Sequence, residues 1–302
     1  MWPIRSFLFV PAHRRSWVGK AIRHRPGACM LDLEDSVPPN ERDNARAMLA
    51  SEIAEVSAAG IGAFVRVNPD PEQMLLDVAA ATVAGLTGVM LPKAATPEEV
   101  RHLDGLLSYH EGRAGLAHGG IAIMPLPETA RGLQDAEQLA SASARVKGLV
   151  SSISGPVSGD IARAFGFTAT RGGLEQLYMN SKIVLDSRAG GAPYPICGVF
   201  GLPLDDLDGV REMARRARDI GYTGVPVMHP SHIEIVEQVF RPSVEEIAYF
   251  EGLLAAFSAA ESAGAGAISY HGTMVDYAMV PLAESIIAEA RRYAKRDASR
   301  NE

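Results

Sequence analysis

Short runs of β-branched and other apolar residues alternate along the chain with longer amphipathic segments. The runs that predict strands are residues 7–10, 28–31, 63–67, 88–91, 121–124, 148–150, 196–199 and 225–228. Helical periodicity marks residues 41–56, 97–109, 130–140, 174–187 and 207–220. Eight strands that alternate with helices are typical of an α/β protein, and we predict a TIM (β/α)8 barrel.

The alternation of strands and helices ends near residue 240. Residues 243–263 predict one long helix, opened by Ser243 with Glu246 three positions later in a capping-box pattern. A glycine-rich segment at 264–266, a short apolar run and a last helix from about Leu282 follow. We therefore predict a barrel over residues 1–240. Residues 241–302 would be a C-terminal helical extension, a flap over the barrel or over a neighbouring subunit.

Composition narrows the class of protein. Of the 302 residues, 47% are hydrophobic, which is enough for one large core. The formal net charge of -7 disfavours a nucleic-acid partner, because such a partner requires a basic face. Cys29 and Cys197 each lie in an apolar run, which predicts buried free thiols and a reducing cytoplasm. No apolar stretch approaches the roughly 18 residues of a membrane helix, so we expect no membrane association.

Three carboxylates follow the second predicted strand, and TIM barrels place their active sites at such strand ends. Asp32, Glu34 and Asp35 lie within four residues of one another. This arrangement is costly unless a cation, an arginine or backbone amides compensate for the charge. We expect these residues to lie around a metal site and support its ligands. A helix N-terminus or a solvated loop is the alternative.

Two cationic residues also lie at predicted strand ends. Arg66 either points into the barrel mouth, where its guanidinium could bind a carboxylate bidentately, or forms a salt bridge to a neighbouring acid. Lys93 could be a Schiff-base nucleophile, a point charge or an exposed residue. The surrounding residues suit a metal mechanism better than a Schiff base. Structural and electrostatic roles for Lys93 both stay open.

Glu128 and Asp160 follow successive predicted strands, the fifth and the sixth. Two carboxylates, with further oxygen ligands from water and substrate, are a typical arrangement for Mg²⁺. Each could instead be a helix cap, Asp160 in particular. His229, after the eighth strand, could be a third ligand, but a lone histidine is more often structural. No HExxH, GxGxxG or Walker A pattern occurs in the sequence, so zinc and nucleotide sites of those types are unsupported.

The motifs taken in order resemble a known family. They are the segments 5–11 (RSFLFVP), 31–37 (LDLEDSV), 66–68 (RVN), 90–93 (MLPK), 128–132 (ETARG), 229–231 (HPS) and 274–276 (MVD). Their order over nearly the whole chain resembles the citrate lyase beta subunit and its relatives in the HpcH/HpaI aldolase superfamily. That group includes malyl-CoA and citramalyl-CoA lyases.

The resemblance implies a site as well as a fold. Glu128 and Asp160 would hold Mg²⁺, with Mn²⁺ as a possible substitute, and a keto acid would chelate that ion beside Glu128. Arg66, and with it Arg5, would bind the substrate carboxylate. Asp276 would be the acid/base group, delivered into a neighbouring subunit's site of a homotrimer or homohexamer.

The expected activity is Mg²⁺-dependent carbon–carbon lysis or synthesis of a 3-hydroxy-acid CoA thioester. Citramalyl-, malyl- and citryl-CoA are examples, and the products are a keto acid and an acyl-CoA. Three alternatives remain open. They are a metal-dependent aldolase acting on free hydroxy keto acids, a malyl-CoA-type thioesterase, and a non-catalytic keto-acid-binding or complex subunit.

Two departures from the family pattern bear on the substrate. Ala12 follows Val10-Pro11 where relatives carry glycine. Relatives also read Gly-Ala-Glu-Asp-Leu at the metal aspartate, whereas residues 151–161 here read SSISGPVSGDI. The segment is longer and lacks the glutamate, so we expect residues 151–159 to form an altered loop that shapes the pocket differently.

Overall fold

Eight parallel strands form a nearly closed barrel in the computed structural model, which describes residues 2–301 and the side-chain surroundings of residues 2–294. The strands are β1 (Ser6–Pro11), β2 (Ala28–Asp32), β3 (Gly62–Arg66), β4 (Leu86–Leu91), β5 (Ala122–Pro125), β6 (Val150–Ser154), β7 (Ile196–Phe200) and β8 (Val225–Val227). Their order is β5-β4-β3-β2-β1-β8-β7-β6. A parallel bridge between Ile123 and Val146 joins the two ends of this order. The predicted TIM barrel is confirmed.

Helices follow or precede each strand around the barrel. They are α1 (Arg15–Arg23), α2 (Arg42–Ala58), α3 (Pro71–Ala81), α4 (Pro97–Ala114), α5 (Ala130–Gln134), α6 (Ala136–Ser141), α7 (Asp160–Phe165), α8 (Leu174–Ala189), α9 (Leu207–Ile220) and α10 (Ser231–Phe240). The single helix predicted over 130–140 was wrong, because it divides at Asp135. The Asp135 side chain pairs with Arg131 at 2.6 Å. Aspartate favours helix boundaries because its carboxylate competes for local hydrogen-bond donors.

Large apolar side chains fill the inside of the barrel. Phe7, Met30, Phe64, Met90 and Met124 come from five adjacent strands and are all fully buried. Side chains of a strand alternate between its two faces, so one residue in two can point inward. The filled interior leaves the strand ends as the place for a site.

The sixth strand begins two residues later than predicted and continues through serines. The side chain of Ser151 donates to Asn180 at 3.0 Å, and the backbone N–H of Ser154 donates to the Gln176 side chain at 2.9 Å. Amides on α8 thus satisfy polar groups in a buried strand, which a reading of hydropathy alone misses. The loop expected at 151–159 was therefore partly wrong. Its first four residues are strand, and only 155–159 is loop.

A second compact unit covers Val239–Glu302. It contains α11 (Val244–Ser262), β9 (Ala267–Tyr270), β10 (Thr273–Asp276) and α12 (Val280–Asn301). The predicted capping box at Ser243 and Glu246 is present. The sequence reading missed the antiparallel hairpin of β9 and β10, whose two turn residues, His271 and Gly272, both have positive φ. Such turns match the natural twist of paired strands.

Glu52 of α2 gives a stability prediction. Its side chain is fully buried, and both carboxylate oxygens lack a hydrogen-bond partner in the described part of the chain. Burial raises the pKa of Glu52 to about 7. The folded state therefore holds a proton that the unfolded chain loses near pH 4.5, and stability falls as the pH rises from there to about 7.

The Glu52→Gln variant lacks this titration, so its stability should not fall over the same range. We therefore expect its free energy of unfolding, relative to that of the parent protein, to rise by about 1–3 kcal/mol from about pH 5 to about pH 8. Urea unfolding at both pH values measures this gain. Asp43→Asn is the matched control, because Asp43 lies on the same helix, is 93% exposed at its side chain and pairs with Arg46. A gain that is equal at both pH values would contradict the assignment.

Candidate active site

A cavity of about 630 Å³ opens at the carboxyl ends of the barrel strands. Phe9 of β1 and Arg66 of β3 line one part of it, and Phe200 of β7 another. Glu128 and Asp160, from the segments after β5 and β6, line it as well. The cavity lies where a TIM barrel builds an active site, since parallel strands bring their following loops together at one end.

Arg66 and Asp32 form a bidentate pair at the base of this cavity. Nε and Nη2 of Arg66 donate to the two carboxylate oxygens of Asp32, both at 2.6 Å. Burial alone would raise the pKa of Asp32, but the hydrogen bonds and charge of Arg66 outweigh it and hold the pKa below its usual range. Arg66 also approaches Glu34 at 2.9 Å and lies over the Phe9 ring. The pair fixes the guanidinium in place.

Lys93 links the acidic residues of neighbouring strand ends. Its ammonium group contacts Glu34, Asp35 at 3.3 Å and Asp160 at 3.6 Å. Its φ of 53° is in the left-handed region, which is uncommon for a residue with a side chain. This backbone conformation accompanies a bond from the Lys93 N–H to the Glu128 carboxylate at 3.3 Å. Lys93 therefore contacts these acids through both its backbone and its side chain.

Glu128 and Asp160, here called the acidic pair, differ in their proton affinity. Burial, with the negative charges of Glu34 and Asp160, raises the pKa of Glu128 to about 7. A hydrogen bond from Arg163 at 2.6 Å, with the charge of Lys93, lowers the pKa of Asp160. The raised pKa means that nearby positive charge does not fully compensate the partly buried Glu128 carboxylate.

The acidic pair fits a hard divalent cation. Among the residues that the structure describes, the Lys93 N–H is the one hydrogen-bond donor to Glu128, which leaves carboxylate oxygen free for another ligand. No group of three or more His, Cys, Asp and Glu side chains suited to a metal occurs in that part of the chain. Mg²⁺ is often held by one or two carboxylates, with water and substrate oxygens completing its shell.

The structure brings most of the predicted site residues together. Those at or beside the cavity are Asp32, Glu34, Asp35, Arg66, Lys93, Glu128 and Asp160. Arg5 is not among them. It precedes β1, at the amino end of the barrel, where its side chain is fully buried and lies 3.9 Å from Glu237. The predicted contact of Arg5 with a substrate carboxylate is therefore a mistake, since strand-start residues face away from the cavity.

Asp276 and His229 are two further residues of interest. Asp276 ends β10 in the second unit, where its carboxylate accepts a hydrogen bond from the Ala278 N–H at 2.9 Å. His229 follows β8, is exposed, and shares a hydrogen bond with the Ser231 hydroxyl at 2.7 Å. The bond to Ser231 suits the structural role expected for His229.

The sequence reading missed Arg163, which lines the cavity one helical turn after Asp160. Its signal was present in the spacing, because residues three apart share one face of a helix. Asp160 drew attention as a strand-end carboxylate, whereas Arg163 looked like a surface residue of α7.

The sequence of this chain matches a protein-family model described as HpcH/HpaI aldolase/citrate lyase over residues 5–230. The chain belongs to the HpcH/HpaI aldolase/citrate lyase family. The predicted resemblance is thereby confirmed, as is the predicted enzyme class, a carbon–carbon lyase.

Three similar proteins illustrate the family. Citrate lyase subunit beta of Haemophilus influenzae is 27% identical over 95% of this chain and 97% of its own. Mitochondrial citramalyl-CoA lyase of Mus musculus is 28% identical over 95% of this chain and 86% of its own. The CitE protein of Mycobacterium tuberculosis, solved with magnesium, acetoacetate and coenzyme A, is 26% identical. That match has a TM-score of 0.74 and covers 96% of this chain and 99% of the other.

None of the described helices combines the length and the apolar character that crossing a bilayer requires.

Proposed function

We propose that the protein is a Mg²⁺-dependent lyase that cleaves or forms a carbon–carbon bond in a 3-hydroxy-acid CoA thioester. Citramalyl-, malyl- and citryl-CoA are the substrates in view, with a keto acid and an acyl-CoA as products. The observation that carries the proposal is the acidic pair, two carboxylates from successive strand ends lining one cavity. Relatives named citramalyl-CoA lyase and citrate lyase support the thioester.

Glu128 and Asp160 would hold the ion, Mg²⁺ or in its place Mn²⁺. A bound divalent cation supplies Lewis-acid polarisation of a keto oxygen. Asp32, Glu34, Asp35 and Lys93 would keep the acidic pair in position through the contacts described above. Mutation of residues that orient metal ligands typically costs about 10- to 100-fold in metal affinity or activity.

Arg66 would orient the keto acid. Asp32 accepts hydrogen bonds from Nε and Nη2, Glu34 lies 2.9 Å from Nη1 as an ion pair, and a guanidinium carries five N–H groups. The remaining donors can bind a substrate carboxylate. Because Asp32 and the Phe9 ring hold the guanidinium in place, little side-chain entropy is lost when substrate binds.

Asp276 would move the proton. In synthesis its carboxylate takes a proton from the carbon next to the thioester carbonyl, the resulting enolate attacks the keto carbon, and the oxygen of that carbon takes a proton from solvent. In cleavage the hydroxyl proton leaves to solvent, the carbon–carbon bond breaks, and Asp276 gives a proton to the enolate carbon of the acyl-CoA. The second unit also exposes Met274 and Tyr277, at 62% and 56% of their full surface. Apolar side chains beside Asp276 favour docking of this flap on another subunit of a homotrimer or homohexamer.

The cysteines suit a reducing compartment. Cys29 and Cys197 are both buried free thiols. Burial raises the pKa of Cys29 to about 12, which makes that thiol unreactive. We therefore include the cytoplasm in the proposal as the location of the protein.

A product screen tests the proposed function. The protein with Mg²⁺ is incubated with malyl-, citramalyl- and citryl-CoA, and the products are separated by chromatography. A keto acid together with an acyl-CoA is the expected result. Free CoA with an intact hydroxy acid would indicate a thioesterase instead. Turnover of free hydroxy keto acids alone would indicate an aldolase, and binding without turnover a non-catalytic subunit.

Binding of the ion should depend on pH. Glu128 has a pKa of about 7 before a cation binds, so below pH 7 the proton must leave for the ion to enter. We expect Mg²⁺-dependent keto-acid affinity to fall about tenfold per pH unit below 7 and to level off above it. Calorimetric titration of pyruvate at several pH values measures this. An affinity that stays flat between about pH 5.5 and about pH 8 would contradict the raised pKa.

A further inference from the structure

Among the described residues, two cationic side chains line the cavity, Arg66 and Arg163. They differ in exposure and in the number of acids that hold them. Arg66 is 13% exposed at its side chain and is held by Asp32 and Glu34. Arg163 is 78% exposed at its side chain and, within the described part of the chain, pairs with Asp160 alone. The cavity therefore has one guanidinium held by two acids and one that is exposed.

The bond between Arg163 and Asp160 costs little to give up. Nη2 of Arg163 donates to Asp160 at 2.6 Å and Nε at 3.3 Å, while Nη1 has no partner in the part of the chain that the structure describes. An exposed ion pair of this spacing is worth a fraction of a kcal/mol. A cation at the acidic pair would also neutralise the charge of Asp160 and weaken its attraction for Arg163.

Apart from Arg66 and Arg163, the described lining of the cavity holds no cation for a second anionic group. Phe9, Met90, Leu126 and Phe200 make much of it apolar. Burying a carboxylate against such a surface without a counter-charge is costly. A substrate with two carboxylates would need a second guanidinium besides Arg66, and Arg163 is the one available.

We propose that Arg163 is a specificity-determining residue that binds the second carboxylate of the keto acid. The site would then prefer a keto dicarboxylate such as oxaloacetate over a keto monocarboxylate such as pyruvate. This inference rests on the proposed function, because it assumes that a keto acid binds beside the acidic pair. It assigns to Arg163 a contact with substrate, not a role in the bond-breaking step.

Calorimetric titration of freshly dissolved oxaloacetate and of pyruvate, each with Mg²⁺, tests the proposal in wild type and in Arg163→Met. We expect the variant to lose roughly ten- to a hundredfold of its oxaloacetate affinity, the range for a hydrogen bond to a charged group. Its pyruvate affinity should change by less than about threefold. Arg163→Lys should recover part of the preference, since it keeps the charge but not the bidentate geometry.

Arg101→Met is the matched control. Arg101 pairs with Glu98 at the same spacing along a helix, at 2.7 Å, and lies outside the cavity. It should leave both affinities unchanged. An equal loss for both acids in Arg163→Met would show that Arg163 acts through Asp160, and this inference would be overturned while the proposed function stands. If the wild-type protein bound neither acid in a Mg²⁺-dependent way, both this inference and the proposed function would be contradicted.

Discussion

Glu128→Gln is expected to weaken Mg²⁺-dependent binding of a keto acid at least about a hundredfold. The change keeps the size of the side chain but removes one of two carboxylates that would hold the ion. Glu128 has a raised pKa because burial and nearby acids disfavour its charge, so the uncharged amide should not destabilise the fold. Titration of pyruvate with and without Mg²⁺, alongside a thermal unfolding curve, measures both effects.

Glu137→Gln is the control for that experiment. Glu137 lies nearby in sequence, on α6, and is exposed. Its loss should alter neither the affinity nor the unfolding temperature. Retention of normal metal-dependent affinity by Glu128→Gln would exclude Glu128 as a ligand.

Asp276→Asn should lower turnover of the CoA thioester by roughly 10²–10⁴, the usual contribution of a positioned general base. An amide cannot take a proton from the carbon next to the thioester. Keto-acid binding should remain at the wild-type level, because the binding residues lie on the barrel. Turnover assays and calorimetry on the same preparation separate the two effects. Unchanged turnover would remove Asp276 from the mechanism.

Glu251→Gln, an exposed substitution on α11, is the control for Asp276→Asn.

A mixing experiment adds information about the flap. If Asp276 acts in a neighbouring subunit, oligomers assembled from Asp276→Asn and Glu128→Gln chains should regain part of the activity that each variant lacks. Activity that stays absent in verified mixed oligomers would indicate that Asp276 serves its own chain.

The fold and much of the site could be predicted from local patterns. Alternation of apolar runs with amphipathic helices identifies the strands, and the geometry of the barrel then brings their carboxyl ends together. Glu128, Asp160 and Lys93 followed from that one rule. No pairing information was needed, since every strand end of a parallel barrel faces the same side.

The features that were missed depend on contacts between distant residues. Ser151 and Ser154 looked like loop because their partners, Asn180 and Gln176, lie more than twenty residues away on α8. Arg5 was assigned to the site by resemblance, although a residue before a strand lies at the opposite end from one after it. The salt bridge of Arg66 was left open as one of two alternatives. Predicting it requires the register of β2 and β3, which pairs Asp32 with Arg66.

Crystals soaked with Mn²⁺ and a keto acid provide the most direct test of the acidic pair. Anomalous scattering locates the ion without assuming its ligands. We predict one peak in the cavity, within bonding distance of a carboxylate oxygen of Glu128 and of one of Asp160. A cavity with bound keto acid and no anomalous peak between those two side chains would contradict the account.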